Sequence, residues 1–276
     1  SPSIASAINP ANISKIKGLG VELIYQPSNS VGYALVSGTG KVGGAFLASS
    51  SENTFFGNRT IELDEVYLKR RLDEKWYKNK KLQFALGFSI FDQKNFSFDL
   101  GVSVKRNSDT SRLSPGYGFS GRIYFLNFGV YTYADDAKIH LGDAINPDTG
   151  IPYATQYNGL TYEEKFNVKT YTIGTKIKNL ALDAALTKTN YDFYRRPTYV
   201  RIYSSSYVFK KFIFNLAYRN EDSDNQKERN GHLFYERKKE DVYGGIQFLI
   251  NKHLLVGAAY NHFLVKEISG NLTLFL

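Results

Sequence analysis

Residues 82–91 read LQFALGFSIF, and the alternation in this stretch decides the fold. Leu82, Phe84, Leu86, Phe88 and Ile90 occupy every second position, and Gln83, Ala85, Gly87 and Ser89 occupy the positions between them. Successive side chains of a β-strand point to opposite faces of the sheet. The stretch therefore predicts a strand with one oily face and one face of small or polar side chains.

The same pattern resumes after a break at residues 92–95, where 96–105 alternate again, and it recurs as hairpins to the end of the chain. The predicted turns near 126–127, 179, 210–211 and 251–252 are short. The connections at 106–115, 135–162, 191–198 and 220–240 are long and polar. Short turns at one rim and long loops at the other are typical of outer-membrane β-barrels.

The number of strands follows from counting back from the C-terminus. Eleven alternating stretches reach residue 82, and three more at 18–26, 31–38 and 41–49 give fourteen. An even number is expected, because both chain ends of such a barrel lie on the short-turn side. Merging 31–49 into one span would give about twelve strands. A strand pair inside 50–81, where 61–77 reads more as an amphipathic helix, would give about sixteen.

The predicted fold class is thus all-β: a transmembrane antiparallel β-barrel of about fourteen strands. Its short turns face the periplasm and its long loops face the outside. Residues 18–276 form the barrel, and residues 1–17 form an N-terminal plug or periplasmic segment. A helical membrane protein is excluded, because no stretch approaches the roughly 18 to 20 apolar residues that a membrane helix needs.

The aromatic content is high, at 15% of the 276 residues. Tyr and Trp favour the level of the lipid headgroups, where one end of the ring is wet and the other apolar. The aromatic residues that flank the predicted strands are Tyr25, Tyr33, Phe91, Tyr117, Phe125, Tyr131, Tyr199, Phe209, Phe212, Tyr218, Tyr260 and Phe263. The alternative is an aromatic core of a soluble β protein, which would not sort its loops by length.

Cysteine and methionine are both absent, and the chain opens Ser1-Pro2-Ser3. Without cysteine there is no disulfide framework, no zinc–thiolate cluster and no thiol nucleophile. The missing initiator methionine predicts that an export signal has been removed. Together with the barrel pattern, this predicts localisation in the bacterial outer membrane.

The residue pairs that outer-membrane enzymes need are missing. None of the four histidines is followed two positions later by serine, as nucleophile activation on one strand face would require. Asp135 and Asp136 are adjacent, but the chain contains no Asp-His dipeptide. Residues 146–150 (NPDTG) offer oxygen ligands for calcium, although a turn explains them more simply. The sequence therefore predicts no catalytic residue, no metal site and no cofactor.

The formal net charge is +9, and Lys and Arg cluster in loops and turns at 69–71, 195–196, 210–211 and 237–239. No basic helix suited to a nucleic-acid groove accompanies them, which disfavours nucleic-acid binding. Cations at the outer rim instead predict contact with outer-membrane lipid, with lipopolysaccharide phosphates, or with a protein partner at the outer loops.

Charges of both signs fall on the face opposite the oily one. The predicted lumen-facing charged residues are Glu22, Asp99, Lys105, Arg122, Lys176, Asp183 and Arg219. Opposite charges across a small lumen attract one another and narrow it. This argues against a wide general porin.

The N-terminal run Ile8-Asn9-Pro10-Ala11-Asn12-Ile13 leads into a glycine-rich strand, and residues 99–105 read DLGVSVK after Gly87. These stretches resemble the outer-membrane long-chain fatty-acid and hydrocarbon transporter family. The resemblance implies a fourteen-stranded barrel, an N-terminal plug, and an early strand kinked inward to make a lateral opening. The matching plug or gate residues are Ile8, Asn9, Pro10, Ala11, Ile13, Gly43 and Gly44.

Two simpler interpretations remain open at these sites. Residues 9–11 would equally suit an extended segment that closes the periplasmic mouth of any barrel. Gly38 and Gly40 would suit a flexible turn, and Gly43 and Gly44 ordinary barrel curvature, since glycine inside a strand often marks a bulge, a bend or a close approach.

Two functions follow as expectations. The first is passive uptake of a hydrophobic small molecule, such as a fatty acid, through a plugged lumen and a lateral opening. The second is a structural or anchor barrel that binds protein partners or surface complexes in the outer membrane. An apolar site in the lumen would favour the first, and a plugged polar lumen would favour the second.

Overall fold

The computed structural model describes residues 9–26, 30–49, 81–106, 112–140, 161–191, 198–222, 239–261 and 268–276. Within these ranges, fourteen antiparallel strands form one closed barrel in chain order, with β1 paired to β14. The strands are β1 Lys17–Gln26, β2 Ser30–Thr39, β3 Val42–Ser49, β4 Lys81–Gln93, β5 Phe96–Arg106, β6 Leu113–Ile123, β7 Leu126–His140, β8 Thr161–Ile177, β9 Leu180–Tyr191, β10 Thr198–Phe209, β11 Phe212–Asp222, β12 Lys239–Asn251, β13 Leu254–Asn261 and β14 Ile268–Phe275. The predicted barrel and its fourteen strands are confirmed.

Burial alternates along the strands as the sequence pattern requires. On β5, Ser97, Asp99, Gly101, Ser103 and Lys105 are buried, while Phe96, Leu100, Val102 and Val104 are exposed. The outward side chains are large and apolar: Phe84 is 58% exposed and Leu216 is 56% exposed. An apolar surface that continues around a closed barrel is far larger than a water-soluble monomer carries. The fold and this surface place the protein in an outer membrane.

No helix among the described residues is both long and apolar enough to cross a bilayer.

Two belts of exposed aromatic side chains run around the outer surface. One lies at the short-turn rim and consists of Phe91, Phe96, Phe125, Phe209 and Phe212. The other consists of Tyr33, Tyr117, Tyr171, Tyr203, Tyr218 and Tyr260, each six residues along its strand from the short-turn end. We call this second belt the tyrosine belt. Belts of aromatic side chains on the outer face are typical of barrels in an outer membrane.

The belt prediction is wrong for Tyr131 and stays a prediction for Phe263, while Tyr25 and Tyr199 lie beyond the tyrosine belt, eight and ten residues from the short-turn ends of their strands. Tyr131 points into the barrel and is 2% exposed, because Gly118 opposite it on β6 faces inward. Phe263 lies outside the described residues, as do the helix predicted at 61–77 and the turn at 146–150.

The turn predicted at 126–127 is also wrong, since β6 and β7 are joined at Tyr124 and Phe125. Tyr124 begins this turn with a φ of 54°, and Lys178 and Lys210 begin their turns with φ of 52° and 53°. The left-handed region is usually occupied by glycine or asparagine, so these turns carry no ordinary sequence signal.

The predicted loop at 135–162 is shorter than expected, because β7 and β8 remain paired from Asp135 and Phe166 to His140 and Thr161. The sequence pattern becomes polar there, which suggested a loop. Beyond the membrane, water replaces lipid, so polar side chains do not interrupt a ladder.

The last two residues extend the closing ladder between β1 and β14 to the short-turn rim. Leu276 N–H donates to the Leu19 carbonyl at 2.8 Å, and Phe275 N–H donates to the His253 carbonyl at 2.8 Å.

Deleting Phe275 and Leu276 should leave unassembled protein in the periplasm, because backbone groups at the closing seam would have no partners within the bilayer. Heat-modifiable migration of the folded barrel on gels measures assembly. Leu276→Ala keeps the backbone and should assemble; normal assembly of the deletion variant would contradict the prediction.

Candidate functional site in the lumen

A short segment before β1 lies inside the barrel; we call residues 9–16 the inner segment. Its centre is a 3-10 helix, Pro10–Lys15, whose N-cap is Asn9. The Asn9 side chain accepts a hydrogen bond from Ala11 N–H at 3.0 Å. Asparagine is a favoured cap, and proline suits the first turn because its missing N–H would be unpaired there in any case. The Asn-Pro-Ala run thus has a local structural reason.

The same asparagine fixes the inner segment to the barrel wall. Asn9 Nδ2 donates to the Phe119 carbonyl at 2.8 Å and to the Val130 carbonyl at 3.3 Å. These carbonyls belong to β6 and β7. Asn9 is buried, so its amide must find such partners to avoid a desolvation penalty. One side chain therefore both caps the helix and docks it.

A row of glycines crosses six neighbouring strands, and on five of them, β2–β6, it lies where the inner segment meets the wall. The register pairs Gly18 with Gly38, Gly38 with Gly43, Gly43 with Gly87, Gly87 with Gly101, and Gly101 with Gly118. We call these residues the glycine row. Glycine in a strand interior forfeits side-chain packing, so a row of them points to a close approach by another group.

The inner segment is that group. A Cβ at Gly87 would lie 2.7 Å from the Pro10 carbonyl oxygen and 2.7 Å from Ser14 N. A Cβ at Gly101 would overlap the backbone of Ala11. Because the row has no side chains, the backbone of the helix touches the wall directly.

The bend predicted at Gly43 and Gly44 is absent. β3 pairs without a register shift to both neighbours, with Gly43 opposite Gly38 and Gly87, and Gly44 opposite Leu86. Gly43 faces inward, where a Cβ would overlap the Ile13 carbonyl oxygen. Gly44 faces outward, where a Cβ would be in ordinary contact with Leu86, at 3.5 Å. Gly43 therefore leaves room for Ile13, and β3 remains paired to both β2 and β4. Ile8 lies outside the described residues.

Charged groups hold the C-terminal end of the inner segment. Lys15 Nζ lies 3.0 Å from Asp99 Oδ1, 3.2 Å from Asp92 Oδ2 and 3.1 Å from Ser89 Oγ. The Asp99 side chain is buried, whereas the Lys15 side chain is exposed. A buried carboxylate is costly without a neutralising partner, so this contact favours the seated position of Lys15.

The seven predicted lumen charges all lie on the inner face by register, but they do not form one cluster. Arg122 Nη2 lies 3.6 Å from Asp92 Oδ1 and donates to the Gln93 carbonyl at 3.0 Å. Lys176 and Asp183 are exposed near the turn between β8 and β9. The buried members lie on three strands: Glu22 on β1, Asp99 and Lys105 on β5, and Arg219 on β11.

The inner wall has an apolar part and a polar part. The apolar part lies on β1–β4 and is formed by Ile24, Ala34, Val36, Ala45, Leu47 and Ala85, which cluster with Ile13. The polar part begins at Gln83 of β4, which pairs with Leu47 on one side and with Lys105 on the other. The two chemistries therefore meet at Gln83, and on the other side of the apolar part Ala34 is in register with the buried Glu22.

The polar part contains an organised cluster around Lys105. Lys105 Nζ lies 3.1 Å from the ring centroid of Tyr133 and 5.7 Å from that of Tyr131. Ser103 Oγ and Tyr131 Oη are hydrogen-bonded at 2.9 Å. A cation over aromatic rings is held by the negative face of the ring.

Gln83 is the unusual member of this region. Its side chain is 0% exposed, and neither Nε2 nor Oε1 has a hydrogen-bond partner among the described residues. Buried amides are normally paired, and an exception calls for an explanation such as a binding role. An amide donor beside an ammonium group suits a carboxylate. The sequence did not identify Gln83, Ser103, Tyr131 and Tyr133 as parts of one site. The alternation along a strand predicts which side chains face inward, but it does not predict which residues of different strands lie next to one another.

Comparisons with known proteins agree with this fold. No family model and no curated protein sequence matches the chain. A Pseudomonas aeruginosa FadL homologue superposes with a TM-score of 0.52 at 11% identity, covering 98% of this chain and 94% of that one. The chain has the fold of the FadL-type barrels. A deletion mutant of the TodX monoaromatic hydrocarbon channel superposes with a TM-score of 0.52 at 10% identity, covering 98% of this chain and 91% of that one.

Proposed function

We propose that the protein is a passive outer-membrane channel for a small molecule with an apolar body and an acidic head, such as a long-chain fatty acid. The observation that carries the proposal is the meeting of the two inner-wall chemistries at Gln83. Leu47 and Gln83 are direct neighbours, as are Gln83 and Lys105. The apolar part suits a hydrocarbon chain, and the ammonium and amide groups suit a carboxylate.

The inner segment would act as the closure of this channel. It is seated by the glycine row, by Asn9 and by Lys15, all of which are non-covalent contacts. The continuous ladder at Gly43 and Gly44 makes a sideways exit expensive, because hydrogen bonds broken within lipid have no water to replace them. Passage along the lumen, past a displaced inner segment, breaks fewer of these bonds. The FadL homologue and the hydrocarbon channel share the fold within which such a route would run.

Uptake into proteoliposomes tests the proposal. Vesicles that contain the purified protein should take up radiolabelled fatty acid faster than empty vesicles and should exclude a small sugar. Lys105→Gln should weaken binding of the acid by roughly 10- to 150-fold, since a hydrogen bond to a charged group contributes about 1.5–3 kcal/mol. Binding of the alcohol with the same chain length should change little, because it has no carboxylate. Equal passage of acid and sugar would show a general pore instead.

The second candidate is the anchor barrel, and the unbroken third strand favours it. A barrel whose wall has no gap and whose lumen is held by ionic contacts suits a permanently closed structure. Absence of uptake and of fatty-acid binding, even after the inner segment has been displaced, would support the anchor and reject the channel.

A further inference from the structure

Two lysines stand directly opposite one another on the outer surface of the barrel. Lys169 of β8 pairs in register with Lys188 of β9. Lys169 shares its face with Tyr171, and Lys188 shares its face with Leu186, both of which are exposed outward. Like charges directly opposite on one face of a sheet destabilise the pair. An anion bound between the two ammonium groups would remove that repulsion.

The height of the pair matches the lipid headgroups. Lys169 lies eight residues from Ile177 and Lys188 lies eight residues from Leu180, at the short-turn ends of their strands. The tyrosine belt is six residues from that end, so the lysines lie one outward-facing position beyond it. This step is roughly 7 Å along the strand. Eight residues of a strand tilted by about 40° rise roughly 20 Å, and the extended lysine side chain reaches several ångströms farther, so the ammonium groups reach the zone where lipid phosphates lie.

A third lysine, Lys165, lies on the same outer face as Lys169, in register with Asp136 of β7. On the outer face of β8 and β9, the side chains that the structure describes include no carboxylate. Lys188 Nζ also lies 5.8 Å from the ring centroid of Tyr199, which limits how far this side chain turns away. On β10 and β11, by contrast, Arg201 is in register with Asn220, whose Nδ2 donates to Glu240 Oε1 at 3.4 Å.

We propose that Lys169 and Lys188 bind a phosphate group of a phosphorylated glycolipid in the outer leaflet, the lipid A part of lipopolysaccharide. The pair lies on the long-loop half of the barrel, which faces that leaflet. Lysine binds phosphate as a compact point charge, and two of them supply several donors to one phosphate. The acyl chains of the same lipid would lie below the phosphate, against the exposed apolar faces of β8 and β9.

Native mass spectrometry of the purified, folded protein in detergent tests this site. The probe is lipid A with both phosphates; the comparison probes are dephosphorylated lipid A and inorganic phosphate. The double variant Lys169→Gln/Lys188→Gln should bind phosphorylated lipid A about 25-fold more weakly, at about fivefold for each lysine near an anionic surface. Lys169→Gln alone should lose about fivefold, which provides a milder variant if the double variant assembles poorly.

The matched control is Lys178→Gln/Lys252→Gln, which removes two exposed lysines at the short-turn rim and should leave the affinity unchanged. Equal affinity of the wild type and the Lys169/Lys188 double variant would overturn the proposal. Equal affinity for dephosphorylated lipid A would overturn the phosphate contact. Displacement of lipid A by inorganic phosphate at comparable concentration would show a site for free anions, not for a lipid.

Discussion

Replacing Gly43 with valine should drive the inner segment out of the lumen. The new side chain would occupy the space of the Ile13 carbonyl, and a Cβ alone would lie 2.8 Å from Ile13 Cγ2. Overpacking of this kind costs about 1–3 kcal/mol, which shifts the seating equilibrium by roughly 5- to 150-fold. The chain has no cysteine, so Ser14→Cys supplies a single thiol at a buried position of the inner segment. Its labelling rate with a water-soluble maleimide measures the displacement.

The adjacent residue provides the control. Gly44→Val adds the same side chain to the outward face of the same strand, where the nearest atom to a Cβ is Leu86 Cδ2 at 3.5 Å. Valine is well suited to a strand, so assembly and labelling should match the wild type. Equal labelling of Cys at residue 14 in both variants would mean that the inner segment does not depend on the glycine row.

The same pair of variants connects the inner segment to the channel. If the segment closes the lumen, Gly43→Val should raise the uptake of fatty acid into proteoliposomes, and Gly44→Val should not. If the inner segment is displaced but uptake does not increase, the segment is docked in the lumen without closing a channel. That result would favour the anchor barrel.

The sequence was sufficient to predict the strands and their two faces, because a side-chain period of two is a local property. The docking surface of the inner segment is different, since the glycine row exists only when six strands are in register. Register in hairpins is set by the turns. The turn predicted at 126–127 is two residues away from Tyr124 and Phe125, and a left-handed tyrosine carries no sequence signal for it.

The misinterpretation of Gly43 has a related cause. A glycine within a strand is compatible with a bend or with the close approach of another group, and both readings fit one strand considered alone. The approach of Ile13 to Gly43, and of Pro10 to Gly87, becomes visible only when neighbouring strands are assembled. In the same way, Gln83 and Lys105 are 22 positions apart in the chain but directly paired across β4 and β5.

An arginine at Leu216 should block assembly in the membrane. Leu216 is an outward-facing residue of β11. It lies between Phe212 of the aromatic belt at the short-turn rim and Tyr218 of the tyrosine belt. A charged side chain near the bilayer midplane of a barrel costs about 2–4 kcal/mol, a factor of roughly 30 to 700 in the folding equilibrium. Heat-modifiable migration and the fraction of protein recovered in the outer membrane should both fall sharply.

Ala217→Arg is the matched control, because it places the same charge on the next residue of the same strand but on the opposite face. Ala217 lies opposite Ser204 on β10 and Tyr243 on β12, and it is only half-buried on the inner wall. The inner segment packs on β2–β6, away from β11, and Ser204 and Tyr243 place polar side chains beside a guanidinium group at residue 217. Lumen substitutions tune passage more than stability, so assembly should remain near that of the wild type. Equal loss of assembly in both variants would mean that the size of the arginine side chain, and not a charge facing lipid, disrupts the barrel. It would also remove the basis for assigning the two faces of β11.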